Sequence, residues 1–487
     1  MHYKEIPMLE GASWLGAGHL REFAQGDSRL ALLDRIAAHP AGMVRIAAPG
    51  GRTVVVNSPE TLAQIYVEHA KDFEKAFLTR HSLAPLAGNG LFTAEGPLWR
   101  SQRKLMAPMF QPSLIATYAA DMIACTDRAV DTWQNGQEIS MAEQTTHITM
   151  SVAGKTLFDA DTFSEADEIG HALTIALDWV SDNFVTAPSF VTALSNGILR
   201  RLATKLKSPL SDKLLAKADA LIYPNYLSRN ASDAAMLAAI AKLDAYVATM
   251  IAERRANPEA KGDLLTSLLS AHDDETQTRM SDKQLRDEVL TLFVAGHETT
   301  ATSLAWALYY LSRDPALYAK ARAEVDALEG KTPGRADLPR LGFLLRVFKE
   351  SLRIMPPVYI SSRQAWTDTE LAGFEIPMAT ATIISAYALH HREDLWPEPK
   401  RFDPDRFLPE AEAQRHKFAW IPFAAGSRVC IGNHFALMEG QLILARILQR
   451  ADLAAAQDDV PAPQATLRPK HGVRIRVTLR DNAKLAS

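Results

Sequence analysis

Residues 285–312 limit the folds open to this chain more than any other stretch of its sequence. They read LRDEVLTLFVAGHETTATSLAWALYYLS, and apolar residues occur on nearly every side of the helix that this pattern predicts. A helix that is apolar nearly all round is expected to lie buried inside a large domain. The sequence therefore predicts a helix-rich fold built around one long central helix.

Composition indicates a soluble globular protein with a large core. The chain has 487 residues, of which 47% are hydrophobic and 23% charged, and its net charge is −4. These values are ordinary for a soluble protein, and no Pro/Gly/Ser-rich linker or repeat divides the sequence. We expect one domain over residues 1–487 and a monomer. The nearly neutral charge gives no argument for nucleic-acid binding.

The cysteine content and the N-terminal sequence bear on the compartment. The two cysteines, Cys125 and Cys430, argue against a disulfide scaffold and suit a reducing environment. The first twenty residues, MHYKEIPMLEGASWLGAGHL, lack the apolar run of a signal peptide or a membrane span. We therefore expect a cytoplasmic protein with no transmembrane anchor.

Short β-type patterns interrupt the helical ones in three regions, roughly 41–58, 358–388 and 463–479. The first region predicts two strands around a Pro-Gly-Gly turn. Residues 186–232 contain prolines and a glycine and have mixed periodicity, which fits either a mobile lid or a plain connecting region. The predicted fold class is mainly α with minor β (α+β).

Cys430 stands in the segment IPFAAGSRVCIGNHFALMEG, just before a predicted helix. Free backbone N–H groups and the helix dipole at such a position stabilise a thiolate. Gly426 and Gly432 allow tight turns of the backbone, and Arg428 adds a nearby cation. A thiolate so placed is a candidate nucleophile or metal ligand, although a free cysteine is more often a small buried hydrophobe.

The central helix carries the polar sequence AGHETT at residues 295–300. A glycine inside a helix costs about 1 kcal/mol relative to alanine, and an acid in an apolar helix costs more. Glu298 and Thr299 are therefore candidate functional groups. The plainer interpretation is a helix with one wet face and a threonine bonded back to its own helix.

Two further pairs have helical spacing. Trp99 and Arg103 are one turn apart, as in an ordinary basic amphipathic helix, and Glu350 and Arg353 share one helix face. An exposed ion pair of this kind contributes little to stability.

The spacing Phe423-x-x-Gly426-x-Arg428-x-Cys430-x-Gly432 resembles the heme-binding loop of the cytochrome P450 family. The resemblance extends from about residue 40 to 478, with four motifs in the family's order. It implies the P450 fold, in which the long helix crosses the distal face of the heme and the cysteine loop precedes a proximal helix. It also implies heme b with the Cys430 thiolate as the axial iron ligand.

The resemblance assigns roles to the remaining motif residues. Glu298 and Thr299 would form the catalytic acid–alcohol pair that relays protons during oxygen activation, beside the space left by Ala295. The other heme-binding residues would be Phe423, Gly432 and, at the propionates, Trp99, Arg103, Arg363 and Arg428. A structural triad that braces the cysteine loop would consist of Glu350, Arg353 and Arg406.

The implied activity is that of a monooxygenase, which inserts one atom of O2 into a substrate by hydroxylation or epoxidation. No reductase is recognisable in the sequence, so electrons are expected from NAD(P)H through a reductase and a separate ferredoxin or flavodoxin-like donor. Basic residues near the proximal motifs are candidates for docking that donor, or are simply solvated: Arg100, Lys104, Arg415 and Lys417.

A lipophilic substrate is expected, because the candidate contact residues are all apolar: Phe92, Ala295, Val358 and Ile360. The sequence is most similar to the fatty-acid-hydroxylating branch, in a soluble bacterial form. Arg45 and Arg52 are the candidate anchors for a carboxylate. A terpenoid, steroid or polyketide remains the alternative substrate class.

Two alternatives of another kind remain open. A heme-thiolate protein that binds a ligand without turnover does not need Glu298 and Thr299, both of which are present. Peroxide-driven or isomerising P450s commonly depart from this acid–alcohol pair, and this chain does not.

Overall fold

The computed structural model describes residues 1–480 except 12–17, 49–50, 161–165, 185, 207–208, 224–225, 227, 258–262 and 274–277. Its α-helices are α1 Gly18–Ala24, α2 Gly26–Ala38, α3 Pro59–Ala63, α4 Phe77–Ala87, α5 Gly96–Met106, α6 Pro112–Ile115, α7 Ala119–Val130, α8 Met141–Phe158, α9 Ala166–Asn183, α10 Ala187–Leu206, α11 Pro209–Ala220, α12 Ala231–Ala256, α13 Leu264–Ser270, α14 Asp282–Arg313, α15 Pro315–Asp326, α16 Gly342–Ile354, α17 Ala386–His390, α18 Pro409–Gln414 and α19 Asn433–Arg450.

The strands are short. They are β1 Met43–Arg45, β2 Thr53–Val56, β3 Phe73–Lys75, β4 Glu138–Ser140, β5 His272–Asp273, β6 Thr278–Arg279, β7 Ser361–Ala365, β8 Thr369–Leu371, β9 Phe374–Ile376, β10 Ala381–Ile384, β11 Ala451–Ala455, β12 Pro461–Pro463, β13 Leu467–Pro469 and β14 Arg474–Leu479. The mainly helical fold with small sheets confirms the predicted class.

Helix α14 is the predicted central helix. The Ser281 hydroxyl caps its first turn by accepting from the Gln284 N–H at 3.2 Å, and Pro315 follows its last turn, where it begins α15. Most of its side chains between Leu285 and Leu311 are buried. A helix surrounded in this way gains its stability from packing on all sides rather than from an amphipathic pattern.

Helix α8 runs against α14 and bonds to it through threonines. Thr145 donates to the Ala301 carbonyl at 3.0 Å, and Thr149 donates to the His297 carbonyl at 2.7 Å. These bonds fix the position of α14 along its axis relative to α8. Helix α14 carries the candidate catalytic residues.

Helices α16 and α19 approach each other closely below α14. A Cβ atom on Gly440 would lie 2.6 Å from the Phe348 ring, so only glycine permits this crossing. The contact matters for the site, because α16 carries Glu350 and Arg353 and α19 follows Cys430.

The main sheet has the order β1-β2-β10-β7-β3. The pair β2 and β10 is parallel, and the others are antiparallel. Because β3 pairs with β7 so that Lys75 lies opposite Arg363, the sheet brings together two cations that are far apart in sequence.

The structure differs from the sequence prediction in two places. Residues 187–206 and 209–220 form helices α10 and α11, although the sequence there has mixed periodicity; a mobile lid and a plain connecting region remain alternative predictions for this part of the chain. Pro188 and Pro209 stand in the first turns of these helices, where proline is tolerated because its missing N–H would have no partner there. In addition, β3, β4, β5, β6 and β11 lie outside the three predicted β-rich ranges, and β12 begins two residues before the third.

Two expectations need separate mention. The predicted turn at residues 49–51 lies partly outside the described residues. Within the described part of the chain, α12 alone is long and apolar enough to qualify as a candidate membrane span. It packs against α9 and α14 and buries Met236, Leu243 and Val247.

Candidate active site

The cysteine loop closes on itself just before α19. The Cys430 N–H donates to the Phe423 carbonyl at 2.9 Å, and Gly432 caps the helix. Gly426 has φ +64°, and a Cβ atom there would lie 2.2 Å from the Tyr66 carbonyl oxygen. The loop therefore needs glycine at residue 426 on two grounds, its backbone conformation and its close contact.

The electrostatics at Cys430 differ from the expectation. The Gly432 N–H and the Arg103 guanidinium favour the thiolate, but burial outweighs both and raises the pKa of the Cys430 thiol above its usual value. Arg428, the expected cation, pairs with Glu95 instead. A thiolate at this depth thus calls for a stronger positive partner, and a metal ion supplies one.

Cys430 and Ala295 are both exposed although their neighbourhoods are largely buried. The Cys430 side chain is accessible although it lies deep in the molecule. Ala295 is exposed in the middle of α14, next to the buried residues Leu292 and Phe293. The sequence placed these two residues on opposite faces of a heme, and the structure gives each of them an open side.

Arg428 packs between Trp99 and Glu95. Its guanidinium lies 3.6 Å from the centre of the Trp99 ring and pairs with the Glu95 carboxylate. Burial, partly offset by Glu95, lowers its pKa to about 10. Glu95, which the sequence analysis did not identify, therefore holds Arg428 and Trp99 in one stack.

A cluster of cations surrounds this stack. Lys75 lies among Arg363, Arg428 and Arg80, with Glu95 as the acid beside them, and burial lowers its pKa well below the usual value. Within the described part of the chain, Arg363 has no carboxylate partner at ion-pair distance. The excess of positive charge among these mostly half-buried side chains calls for anionic groups.

These features fit a heme. A thiol presented on a loop matches the iron ligand, and the cation cluster matches two propionate carboxylates. Arg103 is not part of the cluster: it donates to the Val429 carbonyl at 2.9 Å, and Cys430 is the charged group that affects its pKa. Arg103 thus lies beside the Cys430 loop and not among the propionate-binding cations. Lys75, by contrast, lies with Arg363 and Arg428, which the sequence analysis identified.

Thr299 and Glu298 follow each other on α14 but face different partners. Thr299 donates its hydroxyl hydrogen to the Ala295 carbonyl at 2.7 Å, which is the back-bond considered above, and its oxygen can still accept. Glu298 is buried, and its Oε1 accepts from the Thr466 hydroxyl at 2.7 Å and from Arg468.

Both partners of Glu298 come from one distant segment, residues 466–468. Arg468, on β13, also pairs with Asp178 of α9 at 3.0 Å. Burial raises the pKa of Asp178, and Arg468 partly offsets that rise. The second Glu298 oxygen has no hydrogen-bond partner. The acid is thus held by one oxygen and free to bond at the other, an arrangement that the sequence alone does not reveal.

Glu350 and Arg353 form a fully buried bidentate pair with distances of 2.7 and 2.8 Å. Arg406 lies 3.5 Å from the same carboxylate, and the Asp403 N–H donates to it at 2.9 Å. Burial raises the pKa of the Glu350 carboxyl, and Arg353, the Asp403 N–H and Arg406 partly offset that rise. The three predicted structural residues therefore meet in one cluster.

His390 connects this cluster to the cysteine loop. The Ile421 N–H donates to its Nε2 at 2.9 Å, so Nδ1 carries the proton and donates to the Arg353 carbonyl at 3.1 Å. Burial lowers the pKa of His390 well below its usual value, which keeps the ring neutral as this bonding requires. Sequence reasoning missed His390, because no motif includes it.

The predicted substrate-contact residues are less closely defined. Phe92 and Val358 are 45% and 36% exposed, and Ile360 packs on the core near α2. Arg45 donates to the Ile6 carbonyl at 2.8 Å, so it already has a structural contact. In the predicted docking patch, Arg415 lies 4.1 Å from the Trp396 ring, while Arg100, Lys104 and Lys417 are exposed.

Comparison with known proteins agrees with this site. The family model described as Cytochrome P450 matches residues 10–476. The chain is 33% identical to cyclooctatin synthase of Streptomyces melanosporofaciens over 85% of this chain and 82% of that protein. It is 30% identical to pentalenene oxygenase of Streptomyces avermitilis over 93% of each.

Among solved structures, the crystal structure of the cytochrome P450DA heme domain superimposes with a TM-score of 0.80 at 27% identity and covers 98% of both chains. The same fold thus recurs in a solved member of this family. The chain belongs to the cytochrome P450 family and is a heme-thiolate monooxygenase that uses dioxygen.

Proposed function

We propose that this monooxygenase oxidises a terpenoid. The observation that carries the proposal is the set of relatives: cyclooctatin synthase, cyclooctat-9-en-7-ol 5-monooxygenase and pentalenene oxygenase are 30–33% identical to this chain over 85–93% of its length. Their names refer to terpenoid compounds. The apolar residues Phe92, Ala295 and Val358 are compatible with such a hydrocarbon skeleton.

The predicted fatty-acid branch finds no support among these relatives. A fatty acid would also need a cationic anchor for its carboxylate, and Arg45, one of the two candidates, is bonded to the Ile6 carbonyl and lies 5.6 Å from the Tyr3 ring centre. A terpenoid needs no such anchor, because its binding energy comes from burial of apolar surface.

The side chains of the site have distinct tasks in this proposal. Bound heme supplies the activation of dioxygen and the transfer of one oxygen atom. Cys430 would hold the iron, while Lys75, Arg363 and Arg428 would neutralise the propionates. Thr299 would donate and accept a proton at Oγ1, and Glu298 would pass protons to it through its unpartnered oxygen.

The remaining expectations complete the proposal. Electrons would come from NAD(P)H through a reductase and a small ferredoxin or flavodoxin-like protein, and Arg100, Lys104 and Lys417 would contact that donor. The enzyme would act as a monomer of one domain in the cytoplasm. The nearly neutral chain and its two cysteines, which are not joined by a disulfide, are compatible with that location.

A spectral titration tests the substrate class. We expect cyclic diterpene and sesquiterpene alcohols or hydrocarbons to shift the Soret band saturably, and fatty acids of any chain length not to do so. The shifting terpene, incubated with oxygen, reductant and added redox proteins, should give a product that is heavier by one oxygen atom.

Other results would contradict the proposal. A shift graded by fatty-acid chain length would restore the fatty-acid hydroxylase. Saturable binding without substrate-dependent consumption of NAD(P)H would indicate a ligand-binding protein. Product formed with peroxide alone, and none with reductant and oxygen, would indicate a peroxide-driven enzyme.

A further inference from the structure

The segment 85–92, which comprises the end of α4 and the loop after it, lies directly against α14. A Cβ atom on Gly88 would lie 2.1 Å from the Asp287 Oδ1 atom, and one on Gly90 would lie 2.2 Å from the Thr291 Oγ1 atom. Because no side chain fits between the loop and the helix at these two points, the surface of α14 determines the path of the loop backbone.

Two buried acids of α14 bind backbone N–H groups of this loop. The Asp287 Oδ2 atom accepts from the Asn89 N–H at 2.9 Å, and the Glu288 Oε2 atom accepts from the Leu91 N–H at 2.9 Å. Asp287 is 2% exposed and Glu288 is 0% exposed. A buried acid is costly unless it is hydrogen-bonded, so the loop explains why two adjacent acids are buried in this helix. The sequence motifs assign no role to either of them.

The carbonyl groups of the same segment are bound as well. Side chains of three different elements donate to them: Arg286 to Leu86 at 2.9 Å, Gln102 to Asn89 at 2.8 Å, and Lys75 to Leu91 at 3.1 Å and to Phe92. A backbone whose N–H and carbonyl groups are paired with side chains of α14, α5 and β3 has little freedom to shift. The loop therefore keeps one position although it contains two glycines.

The segment ends at Phe92, beside the space that fits the heme. Phe92 is 45% exposed, and the Lys75 ammonium lies 5.3 Å from the centre of its ring. Lys75 belongs to the cation cluster that fits the propionates. Glu288 precedes Ala295 by seven residues, which is about two turns of α14, so these two residues lie on one face of the helix. The bonds that hold the loop are therefore next to the open side of α14.

We propose that Asp287 and Glu288 are positioning residues for Phe92, and that through Phe92 they limit the size of the ligand that can reach the heme. Neither acid touches the ligand, because both are buried behind the loop. They determine where the loop backbone runs, and the backbone determines where the Phe92 ring stands. The inference concerns ligand size and does not depend on the terpenoid class proposed above.

Titration of the ferric, heme-loaded protein with two imidazoles tests this inference. Imidazole and 1-tritylimidazole both bind heme iron through a ring nitrogen and shift the Soret band, but the second compound is far bulkier. Asp287→Ala and Glu288→Leu each remove the acceptor of one loop N–H. We expect each variant to lower the Kd of 1-tritylimidazole about tenfold relative to the Kd of imidazole, because the loosened loop lets Phe92 move aside.

Conservative variants and a second buried acid supply the controls. Asp287→Asn and Glu288→Gln keep an oxygen that accepts from the loop, so the ratio of the two Kd values should stay that of wild type. Asp263, outside this segment, is 6% exposed and accepts from the Thr266 N–H at 2.8 Å at the start of α13. Asp263→Ala should therefore loosen the fold and leave the ratio unchanged. The carbon monoxide spectrum shows which variants are folded around their heme, and each acid is removed separately.

Phe92→Ala shows whether the acids act through Phe92. This variant should lower the ratio by itself, and adding Asp287→Ala or Glu288→Leu should lower it no further, because the ring that the acids position is already gone. Three results would overturn the proposal: a wild-type ratio in the folded Asp287→Ala and Glu288→Leu variants, an equal change in Asp263→Ala, and effects that add in the double variants.

Discussion

At the scale of single residues, the one hydroxyl hydrogen of Thr299 can either bond to the carbonyl of its own helix or take part in proton transfer. In the structure its hydroxyl donates to the Ala295 carbonyl at 2.7 Å, a contact that many helical threonines make. The neighbouring Ser303 makes the equivalent bond to the Thr299 carbonyl at 2.9 Å. The back-bond alone therefore does not separate a catalytic alcohol from an ordinary helical one.

Thr299→Ala and Ser303→Ala form a matched pair of variants that separates these roles. If Thr299 delivers protons, Thr299→Ala should lower the amount of product per NAD(P)H consumed by about tenfold or more, because a positioned proton-transfer group accelerates its step by about 10²–10⁴-fold. Ser303→Ala removes a similar bond but should keep the ratio of wild type. Equal ratios in the two variants would remove Thr299 from the proton path.

Glu288 gives a prediction about pH. It is fully buried in α14, and its Oε2 accepts from the Leu91 N–H at 2.9 Å. Burial raises its pKa from 4.5 to about 8, so the folded protein keeps it neutral while the unfolded chain ionises it above about pH 4.5. This group's contribution to stability is therefore complete below pH 4.5 and is lost as pH rises to about 8.

Glu288→Gln removes that titration and keeps an oxygen for the Leu91 N–H. Denaturant unfolding should show the variant gaining on wild type as pH rises from about 5 to 8, with an upper bound of about 5 kcal/mol at about 1.4 kcal/mol per pKa unit. A difference in unfolding free energy that stays constant over this range would mean that Glu288 is ionised in the folded protein.

At the scale of elements, helices α16 and α17 support the cysteine loop through hydrogen bonds. Residues Glu350 and Arg353 of α16 lie behind it, and His390, at the end of α17, joins the Arg353 carbonyl to the Ile421 N–H. The ion pair by itself is weak evidence for stability, because burying two charges is costly. Its connection to the loop through His390 gives the pair a positioning function.

His390→Phe should leave the Ile421 N–H buried without an acceptor, which costs about 1–3 kcal/mol. We also expect a larger fraction of the carbon monoxide complex without the thiolate band, because the loop carrying Cys430 loosens. His391→Phe is the control: His391 bonds to the Tyr387 carbonyl of its own helix at 2.8 Å, so the thiolate band should be unchanged. Equal loss of the band in both variants would contradict the connection.

At the scale of the whole molecule, the heme site is assembled from both ends of the chain. The sheet sets Lys75 of β3 opposite Arg363 of β7, and the cysteine loop adds Arg428. These three side chains are far apart in sequence, and strand pairing brings the first two of them together. Like charges in a buried cluster repel each other, and an anionic cofactor relieves that repulsion.

Lys75→Met should therefore weaken heme retention. We expect transfer of heme to apomyoglobin to accelerate by about tenfold, the equivalent of losing roughly 1.4 kcal/mol of interaction with a propionate. Lys71→Met, at an exposed position of the preceding turn, should retain heme as wild type does. Faster transfer from the Lys71 variant as well would show that the effect is not specific to the cluster.

The sequence by itself determined the elements whose signals are local. The apolar pattern of residues 285–312 predicted α14 because burial on all sides leaves a continuous signal. The spacing around Cys430 predicted the loop and α19, because glycine conformations and a helix start are encoded within ten residues. The family followed from these motifs and is confirmed.

Only the tertiary structure decided which distant side chains meet. Arg468 pairs with both Glu298 and Asp178, and Lys75 and Glu95 join the arginines, because strands and helices that are far apart in sequence come together. Helix α10 shows the same limit. Its polar side is buried because Glu74 and Asp219 lie beneath it, and a pattern that hides charges and exposes leucines can be interpreted only when those partners are known.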